Sequence, residues 1–275
     1  TLRAVLVDDR GREHRSGFEL IDYEHVRRWT LFRPAELEVS SFPVRVRPGL
    51  RVGYVMGSGD GGLEAIRQLG VEAEPVGPAE LRGGELDRFD VLALGVRAYE
   101  TRPDLVAANE RVLAFARRGG TVIVQYNKYE LPRGGYAPYP VEMSRPHDRV
   151  TDPGAPVTLL APGSPVLSWP NRIGPADFEG WVQERGLYFL GEWDDRYTPL
   201  LATSDPGEAP KRGALVVAPV GDGVWVYTGL AFFRQLPAGV PGAHRLFANL
   251  LSLTGERWRA WAEADGGDAD RGAGR

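Results

Sequence analysis

Four short apolar runs dominate residues 50 to 126: LRVGYVM (50–56), VEAEPV (71–76), RFDVLALGV (88–96) and TVIVQY (121–126). Runs that stay apolar at successive positions, instead of alternating, belong to strands buried on both faces. Between them lie two stretches of helical period. LEAIRQLG (63–70) is closed by Gly70. PDLVAANERVLAFARR (103–118) sets Leu105, Val106, Ala108, Val112, Leu113 and Phe115 mostly on one side and is closed by Gly119 and Gly120. Strand, helix, strand, strand, helix, strand predicts an α/β domain whose mostly parallel sheet is covered by helices on both faces. The chain's 275 residues can bury a core of that kind.

The flanks read differently. In residues 1–47, LRAVLVDD and the alternating ELEVSSFPVRV indicate β structure with a turn at DDRGRE. Too few strands are present for an independent sandwich, so this segment reads as the tail of a preceding β-rich domain, a linker, or strands packed on the main domain. The α/β domain spans 48–255. Inside it, residues 131–212 form a long insertion rich in proline, glycine and aromatics, the kind of loop that is often functional. ALVVAPV and VWVYTGL flank GDG (221–223) and predict a late β-hairpin. A last helix starts near Pro241 and stops at Gly255, and 256–275 reads as a mostly disordered tail.

Composition narrows the partners. A net charge of -4 on this length gives no field that argues for nucleic acid. The apolar runs are too short to span a membrane, and soluble locations inside or outside the cell both stay open. With no cysteine, the chain has no disulfide, no thiolate ligand and no cysteine nucleophile.

Several motifs sit where strands of such a sheet end, the usual place for a ligand. GSGDGG (57–62) resembles a phosphate-cradling turn, but it is neither G-x-G-x-x-G nor a Walker loop. Asp60 would repel a phosphate, which leaves a tight turn with Asp60 as helix N-cap, or a site for a hydroxyl-rich ligand. Arg97, Tyr99 and Glu100 follow the third strand and face the same crevice as Gln125, Tyr126 and Asn127. The four histidines are scattered. In RPHDRVTD (145–152), Arg149 stands where a Pro-His-x-Asp-Asp zinc motif needs an acid, so no metal and no cofactor is expected. There is no G-x-S-x-G elbow. In the insertion, Asp177 and Glu184 offer a carboxylate pair, and Trp181, Tyr188 and Trp193 offer either a sugar-stacking platform or the insertion's own small core.

The motifs from LRVGYVMGSGD through FDVLALGVRAYE, GGTVIVQYN, RPHDRVTD and PNRIGPADFEGWVQERGLYF to GLAFFRQLPAGVPGAHRLFANLLS resemble the C-terminal region of large bacterial PIG-L/LmbE-type deacetylase proteins. That region looks like a class I glutamine amidotransferase, or ThuA-like, fold, and the resemblance covers roughly residues 15 to 255. It implies a flavodoxin-like, amidotransferase-like sheet and a zinc deacetylase domain earlier in the same polypeptide. It also implies that the elbow carrying the nucleophilic cysteine of active amidotransferases falls here at Gln125, Tyr126 and Asn127. None of these side chains replaces a thiolate at neutral pH, so glutaminase chemistry is excluded.

The expectation is a domain without catalytic residues that binds a carbohydrate or amino sugar, or mediates domain contacts. Its crevice would comprise Gly59, Asp60, Arg97, Tyr99, Gln125, Tyr126 and Asn127, with Trp181, Glu184 and Arg185 reaching over from the insertion. Two alternatives stay open: a carbohydrate-active hydrolase or isomerase using Asp177 and Glu184, and a purely structural or dimerisation domain.

Overall fold

A computed structural model of the protein describes residues 1–37 and 39–272, the last eight of these by backbone alone. The chain divides into two units, residues 1–43 and 44–275. Within the first, Leu2–Arg3 pairs with Glu36–Leu37, Leu6–Val7 with Glu13–His14, and Ser16–Ile21 with Trp29–Pro34, all antiparallel. Among the described residues of this unit none is buried, and Phe18, Trp29 and Phe32 stay exposed.

The second unit is built on seven strands: β1 (Arg51–Val55), β2 (Glu72–Pro75), β3 (Val91–Leu94), β4 (Thr121–Gln125), β5 (Thr198–Pro199), β6 (Leu215–Val220) and β7 (Gly223–Thr228). Their order across the sheet is β5-β6-β7-β4-β3-β1-β2. The five strands from β7 to β2 are parallel, and β6 joins β7 as the antiparallel hairpin expected around GDG. The doubly covered, mainly parallel α/β sheet is thus as the apolar runs require.

Among the described residues ten α-helices accompany these strands: α1 (Gly62–Gln68), α2 (Pro78–Gly83), α3 (Ala98–Thr101), α4 (Pro103–Ala107), α5 (Asn109–Arg117), α6 (Glu130–Gly134), α7 (Pro165–Ser168), α8 (Phe232–Gln235), α9 (Pro241–Ser252) and α10 (Gly255–Gly272). Strand residues alternate between two cores. Val52, Tyr54, Val91, Ala93, Ile123 and Val226 pack with Ile66 of α1 and Phe247, Leu250 and Leu251 of α9. Val55, Leu92, Leu94, Val122, Val124 and Trp225 pack with Leu81 of α2 and Leu105, Val112 and Phe115 of α4 and α5. Because each face of the sheet meets helices, both alternating sets are apolar, which is why the runs are continuous.

Two expectations need correction. The single helix over 103–118 is broken at Ala108, whose φ of -98° and ψ of 4° separate α4 from α5. The expected tail begins inside α10: Trp258 is 2% exposed and joins the α9 core, so residues 256–264 belong to the fold, whereas 273–275 lie outside the described residues. The insertion is tied down by short ladders, Val141–Glu142 with Glu192–Trp193, Asp148–Val150 with Gly186–Phe189, and Val157–Leu159 with Leu201–Thr203. Among the described residues no helix is long and apolar enough to cross a membrane.

Candidate functional site

The loop GSGDGG leaves the carboxyl end of β1, and its acid folds back into its own backbone. Asp60 Oδ1 accepts the Tyr54 hydroxyl and the Gly62 N–H (2.9 Å), while Oδ2 accepts the Val96 N–H (2.9 Å). Gln125 Nε2 in turn donates to Tyr54 Oη at 3.0 Å. Burial, reinforced by Asp60, drives the Tyr54 hydroxyl far above its usual range, so it stays a donor. A Cβ on Gly95 would stand 2.8 Å from Asp60 Oδ2, so glycine is needed for the carboxylate to enter. One amide at the helix start, that of Gly62, already holds a carboxylate, and the negative charge of Asp60 opposes a phosphate there. The formal N-cap of α1 is Gly61, with Asp60 one residue earlier, and Gly59 makes the exposed turn at φ +90°.

The resemblance implies an elbow at Gln125, Tyr126 and Asn127, and none of the three is left-handed. Arg97, three residues past β3 and just before α3, is left-handed, with φ 58° and ψ 28°, and makes an elbow between that strand and helix. Side chains held left-handed at strand ends cluster at working sites. Two are found here, Tyr188 at φ 53° and Arg97, whose guanidinium donates to Glu100 Oε2 at 2.6 Å, while Lys128 Nζ lies 3.1 Å from Oε1. Arg97, then Lys128, hold the Glu100 carboxyl at about 2. The elbow offers charge and donors but no nucleophile.

Five of the expected crevice residues turn inward. Asn127 is 0% exposed; its Oδ1 accepts the Tyr99 N–H and its Nδ2 donates to the Gln125 carbonyl, both at 2.9 Å. Tyr99 is buried, stacks on Tyr136 at 4.7 Å and donates its hydroxyl to Asn109 Oδ1 at 2.6 Å. Gln125 is committed to Tyr54. Trp181 packs between Phe178 and Phe232 and donates to the Asp177 carbonyl at 3.0 Å. Arg185 is 3% exposed and, lacking a carboxylate, donates to the carbonyls of Ala155 (3.0 and 2.8 Å) and Phe178. Burial pulls its guanidinium down to about 10. These two side chains form the insertion's core and do not cover a crevice. The carboxylate pair is likewise spent, Asp177 on Arg245 (2.7 Å) and Glu184 on Arg234 (2.8 Å).

What does gather at the strand ends is an aromatic rim. Tyr126, 9% exposed, forms its floor and stacks with Tyr188 at 5.9 Å and 10°. His147 stacks on Tyr188 at 3.8 Å and 6°. Phe233 tilts over Tyr126 at 5.4 Å, and Tyr129 meets Tyr188 edge-on at 5.8 Å. The half-buried Arg97 and the Glu184–Arg234 pair influence the Tyr126 hydroxyl, whose pKa burial raises. Burial and then Arg149 keep His147 below its usual pKa, hence neutral near pH 7. Of the sequence candidates, the structure brings together Arg97, Tyr126, Glu184 and Tyr188. Phe233 and Arg234 escaped notice, although their position just past the β7 end was a readable signal.

No family model matches the chain, and no curated protein matches it. Among solved structures, it is similar to a cytoplasmic protein of Salmonella typhimurium (14% identity over 86% of this chain and 94% of the other, TM-score 0.44). It is also similar to a ThuA-like protein of Bacteroides uniformis (10% identity, 76% and 94%, TM-score 0.47) and to a β-galactosidase from a Rahnella species (14% identity, 75% and 31%, TM-score 0.42). All are distant likenesses, and the fold described above rests on the sheet itself.

Proposed function

We propose that the α/β unit is a carbohydrate-binding module and not an enzyme. One observation carries this reading: the elbow at the end of β3 holds Arg97, beside a rim where Tyr188, His147, Tyr129 and Phe233 are half-buried over Tyr126. Such rings offer faces to the C–H side of a sugar, while Arg97 and the Glu184–Arg234 pair retain donors and acceptors for hydroxyls. The inner polar groups are consumed by one another, so nothing there is poised to attack.

Titration calorimetry with a panel of oligosaccharides and amino sugars tests it. Binding that is lost in Tyr188→Ala and weakened in Arg97→Gln supports the reading; no heat with any member removes it.

The accessory role follows the sequence resemblance to regions joined to sugar deacetylases. In its support, the 1–43 unit leaves Phe18, Trp29 and Phe32 uncovered, as a segment completed by a preceding domain would. Limited proteolysis checks this: residues 1–43 should be cut in the isolated chain and protected in the full-length gene product, and equal cutting in both would refute it.

A further inference from the structure

We propose that the groove between α6 and the strand Val141–Glu142 is an anion-binding subsite that extends the rim and takes the carboxylate of an acidic sugar residue; this rests on the carbohydrate reading above. The groove encloses about 260 Å³, room for one sugar unit, and is lined by Tyr129, Pro132, Arg133, Glu142, Met143 and Arg145 among others.

Arg133 and Arg145 are distinguished by place: neither is in an ion pair with a carboxylate among the described residues, which is also true of other arginines such as Arg82 and Arg149, but these two are exposed on one groove. Two guanidiniums against the one carboxylate of Glu142 leave this concave surface with a net positive lining on a chain of net charge -4. Their planar forks match a carboxylate.

Arg145 is also positioned, because its guanidinium lies 4.7 Å from the centre of the Tyr129 ring. Tyr129 is shared, lining the groove and touching Tyr188 of the rim at 5.8 Å. A chain of sugars lying across the rim would therefore run into the groove. Glu142 opposes any anion but accepts hydroxyls, so a sugar acid gains a contact there that a simple inorganic ion lacks.

The test is calorimetric titration of the whole chain with trigalacturonate and with its carboxyl-reduced, neutral counterpart. The acidic trimer should bind about tenfold tighter in low salt, and the advantage should shrink as salt is raised. The double variant Arg133→Gln/Arg145→Gln, in which both altered side chains are exposed, should bind the two trimers alike, at the neutral trimer's affinity. Tyr188→Ala should lose both. Equal binding of the trimers by the parent protein, or an acidic preference that survives in the double variant, overturns the subsite and leaves the rim intact. Failure of both trimers to bind the parent protein overturns the rim reading, and the subsite with it.

Discussion

Replacing Asn127 by alanine separates a structural amide from a ligand-gripping one. The side chain is 0% exposed, and its two hydrogen bonds, from the Tyr99 N–H and to the Gln125 carbonyl, are both 2.9 Å long. An orphaned buried N–H costs about 1–3 kcal/mol, and the carbonyl, with its second lone pair, adds roughly 1 kcal/mol, giving about 2–4 kcal/mol in all. For a domain of this size that lowers the melting temperature by roughly 5–15 °C. Scanning calorimetry reads the shift, and urea unfolding followed by tryptophan fluorescence should show a lower midpoint with an unchanged slope.

Asn127→Asp sharpens the test. One carboxylate oxygen can still accept from Tyr99, but the other faces the Gln125 carbonyl, so the variant should be at least as unstable at pH 7. Burial raises the folded-state pKa of the new acid above its unfolded value. The folded state then binds more protons, and stability should recover as the pH falls through that interval. An Asn127→Ala protein that melts within about 1 °C of the parent would refute the reasoning.

Three further outcomes follow from the structure. Arg97→Gly should be more stable than Arg97→Ala by about 1 kcal/mol in urea unfolding, because both lose the Glu100 pair and only alanine keeps a Cβ in the left-handed region; the reverse order would remove the elbow. Trp258→Ala should cost about 3–5 kcal/mol, and an unchanged melting temperature would return residues 256–264 to a tail. Glu100, held at about 2 instead of its ordinary 4.5, contributes stability that is complete above that ordinary value and lost as pH falls towards 2. Arg97→Gln should flatten this part of the stability profile, and an unaltered profile would mean that the pair does not set it.

The sheet was legible because burial on two faces writes itself as unbroken apolar runs: VLAL and TVIVQ fall on β3 and β4. The site was legible only in part. Position along the chain identifies which residues follow a strand, and so Arg97 and Tyr126 were found. It does not tell whether an amide points outward or back to its own backbone, as with Asn127 and Gln125. Nor does it reveal that Arg185 would be held by carbonyls, since no acid at a telling spacing marks that partnership. The break at Ala108 carries no glycine or proline and left no trace in the sequence. The rim itself is assembled across long separations, His147 and Tyr188 from the insertion and Phe233 from beyond β7, and only the fold brings them together.

The Asp60 carboxylate ties the head of α1, through the Gly62 amide, to the turn after β3, through the Val96 amide, so this part of the loop is held before any visitor arrives. A sugar landing on the neighbouring rings would not have to freeze it, and would forfeit none of its attachment energy to ordering that segment. If the proposed binding holds, it should resemble a key meeting a finished lock, with association rates governed by encounter and not by closure of a flap.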